Sequence, residues 1–265
     1  MDRITSAKNP LIRDMKALNQ RKGRDAQGRF LVEGEKMIRE ALSCGLAIHD
    51  VIALESHAGF AKSLGARAFV VPEALLQAVC DTKSPQGVCA TFDLPAPTPL
   101  EDAPDKVVAL DGLQDPGNLG TIWRTADAAG FGGLLLGEGC ADPLSPKVQR
   151  AAMGSGFRVP FMTTDDLAAT LERMKIEGWT VIASDLHGMD FYHRPETGDC
   201  CVLVIGNEAR GISNDVRLAA DMLLKLPMRG GAESLNAAVA AGILMYGLTE
   251  AKGETDGAAS QSAGL

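Results

Sequence analysis

Side chains able to bind a polar or anionic ligand recur at three places along the chain, each time after a short apolar run. The apolar runs cover residues 107–110, 201–206 and 223–228. The polar residues that follow them are Asn118, Arg124, Glu208 and Asn236. Glycine accompanies each of them, and backbone N–H groups in a glycine-rich loop or at a helix N-terminus favour an anionic ligand. Because parallel strands end at one edge of a sheet, we expect these residues to converge on one site.

The first of these stretches predicts a strand, a loop and a helix, in that order. Residues 107–110 are apolar and suit a buried strand, and a cluster of turn residues (DPGNLG) occupies positions 115–120. Apolar residues then recur at helical spacing as far as Gly130, which suits a helix C-terminus. We therefore expect Asn118 in a loop and Arg124 on about the first turn of a helix. An ordinary strand–loop–helix connection has the same pattern as this stretch. A ligand site is favoured because the same pattern recurs at three places in the chain.

Three segments together resemble the motifs of the SpoU/TrmH family of RNA ribose 2′-O-methyltransferases. They are residues 118–126 (NLGTIWRTA), 205–212 (IGNEARGI) and 226–240, which contains LPM and ESLNAAVA. The N-terminal part also resembles the substrate-binding domain of many members, at residues 4–10, 30–35 and 81–87. The resemblance implies a small N-terminal α/β domain that binds RNA, followed by a SPOUT-type α/β domain with a parallel sheet and a trefoil knot. Ordinary topology rules disfavour knots, so the knot depends on the resemblance alone.

The resemblance also implies an enzyme that transfers a methyl group from S-adenosylmethionine to a ribose 2′-hydroxyl. Carried over by position, the cofactor-binding residues are Gly206, Leu226, Met228, Ser234 and Leu235. The catalytic set is Asn118, Arg124, Glu208 and Asn236. Glycine at position 206 is expected to let the backbone approach the donor. Without the motifs, Leu226 and Leu235 would be assigned to core packing, and Asn236 to a helix cap.

Arg124 is the residue that we expect to act on the acceptor, in one of two roles. The family account makes this arginine the base that removes the hydroxyl proton. Neutralising an ordinary guanidinium at pH 7 costs roughly 7 kcal/mol, which argues against that role. A charged Arg124 could instead bind the acceptor phosphate and stabilise the developing alkoxide.

Composition indicates a globular protein without a metal site or a membrane anchor. Nothing in the sequence indicates a secretory signal, and the longest apolar run, residues 235–248, is too short to span a bilayer. The six cysteines form no Cys-x-x-Cys pair, and the four histidines lie outside the motifs. We interpret the cysteines as reduced thiols of a cytoplasmic protein and expect no metal. The apolar helix at residues 235–248 and the resemblance predict a homodimer formed through the catalytic domain.

Basic residues are concentrated at the start of an acidic chain. The net charge is −8, but residues 1–40 hold ten Lys and Arg against six Asp and Glu. The candidate RNA-binding residues in this part are Lys8, Arg13, Arg21, Lys22, Arg24 and Arg29. They could form a phosphate-contacting arm, and the alternative is a solvated amphipathic helix followed by a charged loop.

Strands and helices alternate through residues 1–95, which we assign to the RNA-binding domain. Within it, residues 10–20 predict a helix and residues 21–28 a polar loop. A proline-rich linker at 96–105 precedes the catalytic domain at 106–252, and residues 253–265 predict a disordered tail.

The resemblance favours ribosomal RNA, most of all 23S, over transfer RNA as the substrate. A transfer RNA 2′-O-methyltransferase, an antibiotic-resistance methylase and a non-catalytic RNA-binding or ribosome-assembly protein are the alternatives. A dinucleotide-binding oxidoreductase is disfavoured, because no Gly-x-Gly-x-x-Gly follows a strand. The sequence does not identify the RNA or the modified nucleotide.

Overall fold

Two β-sheets with helices on both faces make up the described part of the chain. The computed structural model describes residues 1–95, 99 and 105–249. The predicted tail at 253–265 and all of the predicted linker except residues 99 and 105 lie outside the described residues. Within the described ranges, no helix is long and apolar enough to cross a membrane.

The N-terminal sheet is mixed and has the strand order β1-β4-β3-β5-β2. Its strands are β1 (Asp2–Arg3), β2 (Arg29–Glu33), β3 (Ile48–Ala53), β4 (Arg67–Val70) and β5 (Val88–Asp93). The helices are α1 (Pro10–Ala17), α2 (Arg21–Gln27), α3 (Glu35–Ser43), α4 (Ala58–Ser63) and α5 (Glu73–Cys80). The apolar faces of α1 and α5 cover one side of the sheet, and those of α3 and α4 cover the other.

The C-terminal sheet is parallel throughout and has the strand order β11-β9-β10-β6-β7-β8. Its strands are β6 (Lys106–Asp111), β7 (Gly133–Leu136), β8 (Phe161–Thr163), β9 (Thr180–Asp190), β10 (Cys201–Gly206) and β11 (Met222–Lys225). The helices are α6 (Pro116–Ala129), α7 (Pro146–Ala152), α8 (Leu167–Ile176), α9 (Asn214–Ala219) and α10 (Ala237–Thr249). Both faces of β6 and β10 are buried, which explains their nearly continuous apolar sequences.

The strand order reverses between β6 and β10, and this reversal positions the site. From β6 the chain proceeds outward through β7 and β8, and it then returns to the other side of β6 with β9 and β10. Asp111 at the end of β6 pairs in register with Gly206 at the end of β10. The segments that leave these two strands therefore diverge from one edge, where open parallel sheets bind ligands.

Among the residues that the structure describes, three ion pairs join the two domains, and each takes its acid from one domain and its base from the other. Arg24 of α2 pairs with Asp142, and Arg158 pairs with Glu40 of α3. Arg150 of α7 lies 3.6 Å from Glu33.

Two helices differ from the prediction made from the sequence pattern. Helix α6 begins at Pro116, so Asn118 lies in its first turn rather than in a loop, and Arg124 lies in its third turn. Residues 21–27 form helix α2 where a polar loop was predicted. Strands β1 and β8 were not predicted. The parallel α/β class is confirmed, whereas the trefoil knot stays a prediction.

Candidate functional site

Three of the four predicted catalytic residues form one hydrogen-bonded network at the ends of β6 and β10. The Asn236 side-chain Nδ2 donates to Oδ1 of Asn118 over 2.9 Å. The Asn118 side-chain Nδ2 in turn donates to Oε1 of Glu208 over 3.0 Å. These residues are 118 and 90 positions apart in the chain, and the reversal of strand order brings them together.

The direction of these hydrogen bonds is set at both ends of the network. Asn236 Oδ1 accepts from the backbone N–H groups of Ala238 and Val239, so this residue caps helix α10 and its amide nitrogen faces Asn118. Glu208 as a carboxylate can only accept, so Asn118 must turn its nitrogen toward it. The capping role considered for Asn236 is therefore real, and it exists together with the contact to Asn118.

Glu208 is held as a carboxylate by donors from the turn that precedes α6. The backbone N–H groups of Gln114 and Asp115 donate to its two oxygens over 3.2 and 3.0 Å. Partial burial by itself would raise the pKa of Glu208, but the hydrogen bonds from Asn118 and these amides outweigh it and lower the pKa below 4.5. A carboxylate with a lowered pKa is a weak base, which suits orienting a neighbour better than removing a proton.

All five predicted cofactor-binding residues line one cavity of about 420 Å³ beside this network. They are Gly206, Leu226, Met228, Ser234 and Leu235. Glu208 also lines the cavity, which connects the polar network with the predicted donor site. The wall combines apolar side chains with charged groups of both signs, among them Asp185, Arg217 and Lys225. S-adenosylmethionine has an aromatic base at one end and a charged amino acid at the other, so this lining fits it.

Gly206 lines the cavity, and the chain's own backbone also requires glycine at this position. A Cβ atom there would lie 2.2 Å from the carbonyl carbon of Gly211 and 2.3 Å from the nitrogen of Ile212. The turn after β10 folds back on the strand through an Asn207–Gly211 bridge. Glycine is therefore needed for this tight return of the chain, and close approach of the backbone to the donor stays a prediction.

The two leucines of the cavity differ in how far they also belong to the core. Leu226 is half-buried and packs against the core cluster of the α6 and α10 face, so core packing accounts for part of its role. Leu235 is 38% exposed, which rules out plain core packing for it. An exposed leucine beside a cavity is available to contact an apolar ligand surface.

Arg124 does not join this network. It follows Asn118 by six residues. In a helix this places the two residues about 9 Å apart along the axis, with side chains that point about 120° apart around it. Its exposed side chain lines a different cavity, of about 390 Å³, with Asp127 of α6, Arg158 and residues of α3. Within one chain, Arg124 is therefore separated from the predicted donor site.

The predicted RNA-binding arm divides into exposed and engaged residues. Lys8, Arg13 and Lys22 are exposed and make no ion pair within the described ranges. Arg21 is exposed beside Asp25, and Arg29 lies 3.3 Å from Asp50. Arg24 contradicts the prediction, because its side chain is 2% exposed and binds Asp142 and the carbonyl oxygen of Leu18. It is a structural residue between the domains.

Sequence reasoning missed the turn residues that hold Glu208. Asp115 caps helix α6 through Oδ1, which accepts from the backbone N–H of Asn118 over 2.8 Å. An aspartate followed by proline is a helix-start signal, so the pattern could have been found at Asp115 and Pro116. In the described part of the chain, no group of three His, Cys, Asp or Glu side chains is arranged to hold a metal ion.

Comparisons with known proteins match both sheets. Residues 105–246 match the SpoU rRNA Methylase family, and residues 9–90 match the MRM3-like substrate binding domain. The 23S rRNA (guanosine(2553)-2′-O)-methyltransferase RlmP of Bacillus subtilis is 37% identical over 94% of this chain and 99% of its own length. A crystal structure of an AdoMet-bound rRNA methyltransferase from Sinorhizobium meliloti superposes with a TM-score of 0.83 and 34% identity, covering 93% of this chain and 97% of that chain. The SpoU methyltransferase AviRb from Streptomyces viridochromogenes, in complex with the cofactor AdoMet, superposes with a TM-score of 0.81 and 29% identity. This match covers 91% of this chain and 97% of that chain.

Proposed function

The chain belongs to the SpoU rRNA Methylase family, and from this premise we propose that it methylates a ribose 2′-hydroxyl of 23S ribosomal RNA. The observation that carries the choice of RNA is the similarity to RlmP, which spans nearly the full length of both proteins. S-adenosylmethionine is the cofactor and supplies a methyl group on a sulfonium. Transfer RNA is the second candidate acceptor, because two further relatives are named tRNA/rRNA methyltransferases without a choice between the two RNAs. We place the reaction in the cytoplasm, where ribosomal RNA would be met.

The five residues that line the 420 Å³ cavity are the proposed holders of the cofactor. Leu226, Met228 and Leu235 offer apolar surface for the base, and Ser234 offers a hydroxyl. Glu208 orients Asn118, and Asn118 connects to Asn236 at the start of α10. The network thereby fixes the two loops that border the cavity, and this rigidity lowers the entropy cost of placing the donor.

Arg124 is the proposed acceptor-side residue, acting as a cation. An exposed guanidinium can form two parallel hydrogen bonds to an RNA phosphate and stabilise the alkoxide that develops on the ribose. The acceptor hydroxyl has to meet the methyl group in line. Because Arg124 faces away from the cavity of its own chain, we propose that it works with the cofactor held by a second copy.

A homodimer through α10 would meet this requirement. Helix α10 packs beside α6, where Gly242 approaches the Thr125 side chain. It also exposes an apolar stripe of Val239, Ile243 and Tyr246, which Leu235 extends just before the helix begins. Covering this stripe with its own copy would bury apolar surface and bring Arg124, on the neighbouring helix, close to the partner.

The remaining exposed cations of the N-terminal segment are the proposed phosphate contacts of the substrate-binding domain. Lys8, Arg13 and Lys22 are the most available, and Arg21 and Arg29 can contribute by exchanging their carboxylate partners for phosphate. Arg24 is not part of this proposal.

Methyl transfer to unmodified RNA tests the proposed function directly. Purified protein and labelled S-adenosylmethionine would be incubated with transcripts of 23S ribosomal RNA or with transfer RNA. We expect label in the 23S transcript and, after alkaline hydrolysis and sequencing, one protected ribose. Label in transfer RNA alone would reassign the substrate, and no label in any RNA despite cofactor binding would favour a non-catalytic RNA-binding protein.

A further inference from the structure

The cavity that Arg124 lines lies between the two domains and is distinct from the proposed cofactor cavity. It has a volume of about 390 Å³ and is walled by α3 of the N-terminal domain and α6 of the catalytic domain. Its charged residues are Lys36, Glu40, Arg124, Asp127 and Arg158. None of the motifs predicted a role for Lys36. It stands among charged residues of both signs, Glu35, Arg39 and Glu40, and such a pattern does not single out one lysine.

Arg158 takes up both carboxylates of this cavity. Its Nε donates to Oδ2 of Asp127 over 3.0 Å, and its Nη1 binds Glu40. Ser155 Oγ donates to the same Asp127 oxygen over 2.8 Å. Partial burial alone would raise the pKa of Asp127, but the hydrogen bonds from Arg158 and Ser155 lower it, so the carboxylate stays charged at neutral pH. The acids are therefore not available to neutralise another cation.

Lys36 and Arg124 are left as cations that make no ion pair within the described ranges. Both are exposed, and they come from different domains. Lys36 and Glu40 lie one turn apart on α3, so the ion pair of Glu40 with Arg158 holds the same face of α3 toward the catalytic domain. The Glu40–Arg158 ion pair therefore keeps Lys36 and Arg124 at one cavity. Their like charges repel each other there unless an anion lies between them.

We infer that this cavity binds the sugar–phosphate backbone of the acceptor RNA, with Lys36 contacting a phosphodiester next to the nucleotide that Arg124 engages. The inference rests on the proposed function and adds a substrate contact from the N-terminal domain. An RNA strand carries one negative charge per nucleotide, so two cations fixed on opposite walls suit adjacent phosphates. In a chain with a net charge of −8, such local sites are needed for an RNA to approach.

The test compares Lys36→Ala with Lys62→Ala, a control on α4 whose exposed lysine lines no cavity described above. Binding of an unmodified 23S transcript would be measured over a series of KCl concentrations. Loss of one phosphate contact should weaken binding roughly threefold to tenfold and reduce the slope of log K against log salt by about 0.7 to 0.9. KM for RNA should rise while kcat and cofactor affinity stay unchanged. Lys36→Arg should restore affinity, because the charge is kept.

The outcomes separate this inference from the proposed function. If Lys36→Ala binds RNA with the affinity and salt slope of wild type and of Lys62→Ala, the inference is wrong even when methyl transfer proceeds normally. If the slope falls in Lys36→Ala but wild type methylates no RNA, the phosphate site stands and the proposed reaction fails. Lys36→Ala should unfold at the wild-type temperature, because Lys36 makes no ion pair in the described part of the protein. This result would exclude misfolding as the cause of weaker RNA binding.

Discussion

Arg124 is the residue whose replacement should separate catalysis from cofactor binding. It lies outside the cofactor cavity and outside the Asn118–Glu208–Asn236 network, so Arg124→Ala should leave the affinity for S-adenosylmethionine intact. Losing a charge-assisted contact to an oxyanion removes about 3 kcal/mol of transition-state stabilisation, or roughly a hundredfold in kcat. Calorimetry and single-turnover methyl transfer would measure the two quantities.

The conservative variant and a matched control make this prediction specific. Arg124→Lys keeps the charge without the fork of two N–H donors, so partial activity would favour simple charge stabilisation. Arg173→Ala removes an exposed arginine from α8 and should have no effect. Retention of more than a tenth of the wild-type turnover in Arg124→Ala would contradict the acceptor-side role.

Glu208 should make the proposed cofactor site sensitive to acid but not to pH changes near neutrality. Its folded-state pKa is lowered, so the stabilisation that its hydrogen bonds provide is present above pH 4.5 and is lost as the pH falls through the lower folded value. Cofactor affinity should therefore stay constant above pH 4.5 and should fall only in more acidic solution. Titration calorimetry over this range would measure it.

The variant Glu208→Gln provides the comparison. Its amide nitrogen would face N–H donors that now meet a carboxylate oxygen, so affinity above pH 4.5 should be lower by roughly tenfold for the loss of about 1.4 kcal/mol. The decline in acid that is due to Glu208 should be absent from this variant. An identical acid decline in both proteins would show that another group is responsible.

Helix α10 carries the proposed dimer contact on its exposed stripe. Val239 and Ile243 are 52% and 37% exposed, one helical turn apart. Val239→Glu or Ile243→Glu should convert the dimer to a monomer, because an unpaired charge cannot be buried at an apolar interface without a large cost. Leu218→Glu on α9 is the control, since this leucine is 80% exposed on a different element.

Sedimentation at micromolar concentration would decide the matter. A wild-type monomer would contradict the proposed interface. A dimer that persists in both α10 variants but dissociates in Leu218→Glu would contradict it as well. If Arg124 acts on the cofactor of a second copy, the monomeric variants should also lose methyl transfer. Mixing an Arg124→Ala protein with a cofactor-site variant should then restore part of the activity through heterodimers.

The two helices that the sequence mispredicts, α6 and α2, contain glycines that serve packing rather than turns. Gly120 lies inside α6, where a Cβ would be 2.5 Å from the Ala151 side chain of α7. Gly23 lies inside α2, and a Cβ atom there would lie 2.0 Å from the carbonyl oxygen of Ala17. A single sequence does not distinguish a glycine required by a neighbouring helix from one required by a turn, because the neighbour is distant in the chain.

The motif positions were more predictable than the partners of individual side chains. Apolar runs located β6 and β10, and the parallel-sheet rule brought Asn118 and Glu208 to one edge. The direction of Arg124 followed from the true start of α6, which the pattern placed too late. Arg24 and its partner Asp142 are 118 residues apart, so no local pattern could reveal that this arginine is buried.

At the scale of the whole molecule, ion pairs join the N-terminal domain, which carries the proposed RNA contacts, to the domain that carries the proposed cofactor cavity. Three arginines take part, and Arg24 is the most buried of them. Deleting the N-terminal domain would leave Arg150, Arg158 and Asp142 without these partners. Point variants at the interface therefore test the arrangement better than truncation does.

The last prediction concerns Arg24 and its neighbour Lys22 on the same helix. Arg24→Ala should destabilise the protein by about 2 to 4 kcal/mol, because it empties a buried space and leaves Asp142 without its partner. The lower end is expected, since Asp142 is one-third exposed and water can replace part of the contact. Lys22→Ala should leave stability unchanged, because Lys22 is exposed, and should weaken RNA binding with a flatter salt dependence. Denaturant unfolding and salt-dependent RNA binding would be measured for both variants. If Arg24→Ala unfolds like wild type and reduces the salt slope as Lys22→Ala does, Arg24 contacts phosphate after all and the domain contact contributes little.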